Sequence, residues 1–66
     1  MKIMLNGEPR DLDAARTVLD LLDLAGYAGR RVAVEVNQAI VPRSEHASRQ
    51  LADGDRVEIV HAIGGG

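Results

Sequence analysis

Three consecutive glycines, Gly64-Gly65-Gly66, close the sequence. Glycine can enter φ > 0 regions and pass through a slot too narrow for any residue with a Cβ. What such a run can deliver is a carboxylate, that of Gly66. Other residues with chemical potential are sparse. The absence of cysteine excludes disulfides, thiolate zinc sites, a catalytic thiol and sulfur carried as a cysteine persulfide. His46 and His61 are the only imidazoles, too few to hold a metal, and both read as surface or strand-end positions. Asp53 and Asp55 flank Gly54 and read as turn formers rather than as an acid–base pair. The internal glycines Gly7, Gly26, Gly29 and Gly54 make no phosphate-binding loop. A glycine run can equally be an ordinary frayed end, so the rest of the chain has to decide between a tool and a loose end.

The elements that would position the run can be read in order. Met1 to Leu5 alternates and meets Asn6-Gly7, the dipeptide suited to a type I′ hairpin turn, whose two central positions both need φ > 0. The return strand, about Glu8 to Leu12, contains Pro9 and therefore belongs at a sheet edge. Thr17 is an N-cap with Asp20 as its capping-box acid. Val18, Leu21, Leu22 and Ala25 then form one apolar helix face, with Asp20 and Asp23 toward water and Gly26 as an αL stop. Arg31 to Val36 is a strand with Val32, Val34 and Val36 on one face. Asn37-Gln38 is a turn and Ile40-Val41 a short extended piece closed by Pro42. Ser44 to Leu51 is a short or 3₁₀ helix. Asp53-Gly54-Asp55 turns into a last strand, Arg56 to His61.

Strand, strand, helix, strand, short strand, strand predicts an α+β mixed sheet of four to five strands with one main helix across one face. That order is the β-grasp, in which the first and last strands lie parallel at the sheet centre. The expected organisation is a domain over 1–61 and a flexible tail over 62–66. The tail would then leave from the most rigid part of the fold.

Sixty-six residues make one domain, which buries only about 60% of its unfolded surface and leaves little room for a deep catalytic pocket. A docking module fits better than a self-sufficient enzyme. Composition is 45% hydrophobic with Tyr27 as the only aromatic, so the core must be aliphatic. A net charge of −2 from ten acids and eight bases gives no basic stripe for nucleic acid, and there is no aromatic stacking platform. No signal peptide and no membrane-spanning stretch is expected, which places the protein in the cytoplasm.

The blocks Val36-Asn37-Gln38-Ala39-Ile40-Val41-Pro42-Arg43, Asp53-Gly54-Asp55 and His61-Ala62-Ile63-Gly64-Gly65-Gly66, with Thr17-Val18 and Leu21-Leu22 at the helix start, resemble the sulfur carrier proteins of thiamine biosynthesis, the ThiS family with its ubiquitin-like β-grasp. The likeness covers essentially the whole chain. The sequence departs from the family in having Gly64 where a small residue such as alanine is frequent, His46 where an aromatic is common, and no Phe. The resemblance implies a carrier and co-substrate rather than an enzyme. An E1-like adenylyltransferase (ThiF-like) would adenylate the Gly66 carboxylate, a sulfur donor such as a cysteine desulfurase would supply the sulfur of a thiocarboxylate, and thiazole synthase (ThiG-like) would consume it. Gly64 and Gly65 would thread into each partner. No cofactor would be bound by this chain, ATP and a metal belonging to the adenylyltransferase. The chain alone would be a monomer.

Strand parity adds a docking expectation. If Ile3, Leu5, Val57 and Ile59 face the helix, Met4 and Val60 face the open side of the sheet and, with Ile63, would form an apolar patch beside the tail. Three other readings stand beside this one. The small subunit of molybdopterin synthase shares the fold and the thiocarboxylate but is usually longer, richer in Phe, and has prolines before its tail. A protein-conjugating modifier is disfavoured because Lys2 is the only lysine. A β-grasp interaction domain with an inert tail is the remaining alternative.

Overall fold

The computed structural model describes residues 1–13 and 16–62. Its elements are β1 (Lys2–Leu5), β2 (Glu8–Asp11), α1 (Val18–Leu24), β3 (Val32–Val36), β4 (Ala39–Val41) and β5 (Arg56–His61), with a 3₁₀ turn at Arg43–Glu45. The strands form one sheet in the order β2-β1-β5-β3-β4. β1 and β5 pair in parallel at its centre, while β1–β2, β3–β4 and β3–β5 are antiparallel. This is the β-grasp order expected from the sequence. Ile63, expected to dock, Gly64 and Gly65, expected to thread, and Gly66, expected to carry the chemistry, lie outside the described residues.

Local chemistry accounts for each turn and cap. Asn6 (φ 50°) and Gly7 (φ 84°) both take the left-handed conformation of a type I′ turn. The resulting hairpin puts Pro9 on the edge strand β2, where its missing N–H matters least. At the helix start the Thr17 hydroxyl accepts from the Asp20 N–H at 3.1 Å, and the Asp20 carboxylate accepts from the N–H groups of Arg16 and Thr17 at 2.9 and 3.1 Å. The capping box is therefore complete. The helix stops before Gly26 (φ 88°). Two further N–H groups of its first turn, on Val18 and Leu19, donate to the Arg49 and His46 carbonyls at 3.0 and 2.9 Å. The segment after β4 thus clamps the start of α1 as well as closing the core.

The core sits between α1 and the sheet. Val18, Leu21 and Leu22 pack on Ile3, Leu5, Val34, Val36, Val57 and Ile59, with Leu12, Val41 and Leu51 closing the sides. Leu12 falls just beyond β2 and is fully buried: its N–H donates to the Met1 carbonyl at 2.8 Å, carrying the pairing with β1 one step further, and its alternation with exposed Asp11 keeps it on the helix side. The 3₁₀ piece is shorter than the expected Ser44–Leu51 element and begins one residue earlier.

His46 corrects the surface reading: it is only 7% exposed. Its Nε2 lies 3.1 Å from the Val41 carbonyl. A carbonyl only accepts, so Nε2 carries the proton and donates. The clamp segment folds against α1 and carries the imidazole under it, which sequence alternation alone could not show. Among the described residues no helix is long and apolar enough to cross a membrane.

Two stability outcomes follow. Leu21 is fully buried whereas Leu19 is 43% exposed on the same helix. Chemical denaturation should therefore show a loss of about 2 to 5 kcal/mol for Leu21→Ala and within about 0.5 kcal/mol for Leu19→Ala. The two backbone N–H bonds from Arg16 and Thr17 hold the Asp20 carboxyl below its ordinary value of 3.8. A depressed folded-state pKa stabilises fully above the unfolded value and loses that contribution as pH falls through the folded one. Asp20→Asn should accordingly be less stable than the parent at pH 7, with the gap closing below about pH 4. Denaturation midpoints of both proteins measured across that range check it.

Candidate functional site

The site is built around the end of β5, from which residues 63–66 continue. β5 is held along its length by β3, the last matched pair being Val32 and His61. One residue further, the Ala62 N–H donates to the Arg31 carbonyl at 3.1 Å. On the opposite side β1 pairs only with the first part of β5, through Met4–Arg56 and Leu5–Val57. Beyond that point Asn6 continues the ladder, its N–H donating to the Val57 carbonyl at 2.9 Å and its side-chain oxygen accepting from the Ile59 N–H at 2.8 Å. The Tyr27 and His61 rings lie 5.9 Å apart, tilted by 53°. The root of the tail is thus fixed by backbone bonds on one edge and an aromatic contact beside it.

The turn ahead of β5 is braced as firmly. The Asp55 carboxylate accepts from the Ala52 N–H at 2.8 Å and from the Asn37 amide at 3.0 Å, and the Asn37 side-chain oxygen accepts from the Arg56 N–H at 3.0 Å. Asp53 accepts from the Lys2 N–H at 2.7 Å. These two acids are turn formers that tie β1, β3 and β5 together, as their flanking of Gly54 implied. Among the described residues no group of three His, Cys, Asp or Glu is arranged to hold a metal ion.

Met4 and Val60 are on the open face of the sheet, opposite the helix. Val60 is 59% exposed and pairs with Ala33, while Met4 is half-buried and sits level with Arg56 and Pro9. Arg56 and Val60 are four positions apart along β5, roughly 13 Å at the usual strand rise. Glu58 lies between them on the same face, directly opposite Glu35. The open face is therefore apolar at two places with a carboxylate pair between. Ile40 adds a third apolar place, 75% exposed and paired with Glu35. Its alternation with the buried Val41 is the signal that could have found it.

With this geometry in view, the comparisons with known proteins are consistent. The family model described as the ThiS family matches residues 3–66. The chain belongs to the ThiS family. It is 33% identical to the sulfur carrier protein ThiS of Escherichia coli, with the whole of each chain covered. A crystal structure of the thiamine biosynthesis protein ThiS from Geobacter metallireducens superposes with a TM-score of 0.85 at 33% identity over all of both chains. The chain is also 50% identical to a region of the thiazole synthase of Paramagnetospirillum magneticum. It spans only 20% of that relative's length.

The open-face assignment predicts two separable outcomes. Val60→Lys should change the unfolding free energy by less than about 0.5 kcal/mol, since the position is 59% exposed. Asn37→Ala should cost about 1 to 3 kcal/mol, because it removes two hydrogen bonds and leaves a left-handed backbone (φ 52°) to a residue that disfavours it. Urea titrations of the two variants check both.

Proposed function

We propose that this chain is a sulfur carrier of thiamine biosynthesis whose Gly66 carboxyl group is the working atom set. The observation that carries the reading is the family match over residues 3–66, which includes the glycine run, joined to a tail root braced by β3 at Val32–His61 and Arg31–Ala62. A carboxylate is a poor electrophile because it is anionic and resonance-stabilised. Attack of its oxygen on the α-phosphorus of ATP, with loss of pyrophosphate, makes an acyl-adenylate. Hydrosulfide at the acyl carbon then displaces AMP and leaves a thiocarboxylate. A donor's persulfide sulfur displaces AMP to give an acyl disulfide, from which a second thiol releases the thiocarboxylate by forming a disulfide with the donor's own sulfur. ATP and its metal belong to an E1-like adenylyltransferase, and the sulfur to a donor such as a cysteine desulfurase.

Thiazole synthase is the consuming partner in this reading. Relatives carrying that name contain a region 47 to 50% identical to this chain, which supports a physical association between the two activities. Gly64 and Gly65 thread into each partner's channel, where the absence of Cβ atoms allows a narrow passage. Met4, Val60 and Ile63 provide the apolar part of the docking face. Burial of such side chains, at roughly 25 cal/mol per Å², gives affinity that is partly offset by ordering the tail. The molybdopterin synthase subunit remains the second reading, disfavoured by the matches to thiamine proteins.

Incubation with ATP, a sulfur source and the adenylyltransferase should replace one oxygen of the chain by sulfur, read as intact mass. Deleting Gly66 should abolish both that exchange and ATP–pyrophosphate exchange while leaving the circular dichroism spectrum unchanged. Normal pyrophosphate exchange by the truncated chain would exclude the terminal carboxylate as the site.

A further inference from the structure

A crevice of about 210 Å³ opens between the C-terminal end of α1, the 25–31 loop and the clamp segment after β4. Its lining brings together Arg30, Arg31 and Arg43, three of the chain's eight bases, against the single acid Asp23. In a chain of net charge −2 this concentrates positive charge in one place. Leu19, 43% exposed, and the Tyr27 ring provide its apolar wall. Among the described residues no side-chain hydrogen bond or ion pair engages the guanidinium of Arg30 or Arg43. Internal neutralisation therefore does not account for these two charges.

The crevice also adjoins the root of the tail. Arg31, whose carbonyl receives the Ala62 N–H at 3.1 Å, and Tyr27, whose ring meets that of His61, both belong to it. Any protein that takes residues 63–66 into a channel must bring the rim of that channel close to this end of the sheet. The surface it meets there is cationic on the helix side, in contrast to the Glu35–Glu58 pair on the open face.

We propose that the Arg30–Arg43 crevice is a second docking point, filled by an aliphatic side chain flanked by carboxylates on the rim of the thiazole synthase channel. The inference rests on the carrier reading and adds the chemistry of the partner's surface to it. Charge complementarity selects the occupant: carboxylates pair with the two guanidiniums, and an aliphatic group between them covers Leu19 and Tyr27. Charged contacts of this kind at an interface rim act chiefly on the association rate and on partner choice, and they weaken with salt. Engagement from the helix side also fixes the rotation of the carrier about its tail, which the open face alone would leave to a few separated apolar groups.

The test measures binding of the purified carrier to thiazole synthase from the same organism at low and high ionic strength. It compares the parent with Arg30→Glu, Arg43→Glu and Lys2→Glu. Lys2 lies on β1 at the end of the sheet away from the tail, so its reversal changes net charge equally without touching the crevice. The expected result is a rise in Kd of tenfold or more for each arginine reversal at low salt, shrinking at high salt. Lys2→Glu should stay within about twofold, and thermal unfolding midpoints should be unchanged, as for surface substitutions generally. Parent-like binding by both arginine variants would overturn the crevice and leave the carrier reading standing. An equal loss for Lys2→Glu would also overturn it, showing a response to net charge alone. Absence of binding by the parent itself would remove both.

Discussion

The parallel pairing of β1 with β5 is the constraint on which the structure depends. Two parallel strands cannot be joined by a tight turn, so the chain between them has to leave the sheet, cross it and return, and α1, β3 and β4 are that excursion. The join is short, Met4–Arg56 and Leu5–Val57 in register, but it is extended at both ends by the Met4 N–H to the Asp55 carbonyl and by the Asn6 backbone and side chain. Because it unites the two ends of the fold, it closes a loop of about fifty residues. Loop-closure entropy opposes such long-range contacts, and a fold dominated by them folds more slowly than one of local contacts. The consequence is that β5 starts between two neighbours, β1 and β3, and ends paired with β3 alone, where residues 63–66 follow.

Much of this was legible because single residues force single conformations. Asn6-Gly7 required a left-handed turn, Pro9 required an edge, and Thr17 with Asp20 required a helix start; the structure has each. The Asn37-Gln38 turn was placed correctly, but its geometry was hidden. Both residues take positive φ (52° and 71°) without a glycine, and the conformation is stabilised by bonds from Asn37 to Asp55 and Arg56, which are remote in sequence. His46 escaped for the same reason. It is buried because the segment after β4 folds against α1, and no local period records where a loop will fold.

The candidate site divides along the same line. Strand parity put Met4 and Val60 on the open face, since alternation is a property of the strand itself. It could not place Glu35 opposite Glu58, nor Ile40 next to Glu35, because both depend on the register between strands. Nor could it gather Arg30, Arg31 and Arg43, which the sequence spreads over fourteen positions and the fold brings around one crevice. Charges separated along the chain read as a solvated surface until the packing of α1 against the sheet sets them together.

Under the proposed carrier function one carboxyl group serves two partners in turn, and the arrangement bears on how it would do so. Tight holding by either would stall the cycle, so the contacts have to be individually weak and collectively directional. An apolar face interrupted by a carboxylate pair meets the first need, since like charges opposed across a sheet favour a partner that brings a cation. It also denies any partner one broad apolar contact. A cationic crevice on the other side of the tail root meets the second: complementary rim charges speed encounter and reject wrong partners more than they deepen affinity. A carboxylate pair on one side of the exit and a cationic crevice on the other would restrict how a partner rotates onto the carrier. The pairing of Val32 with His61 would then pass that orientation on to the end of β5.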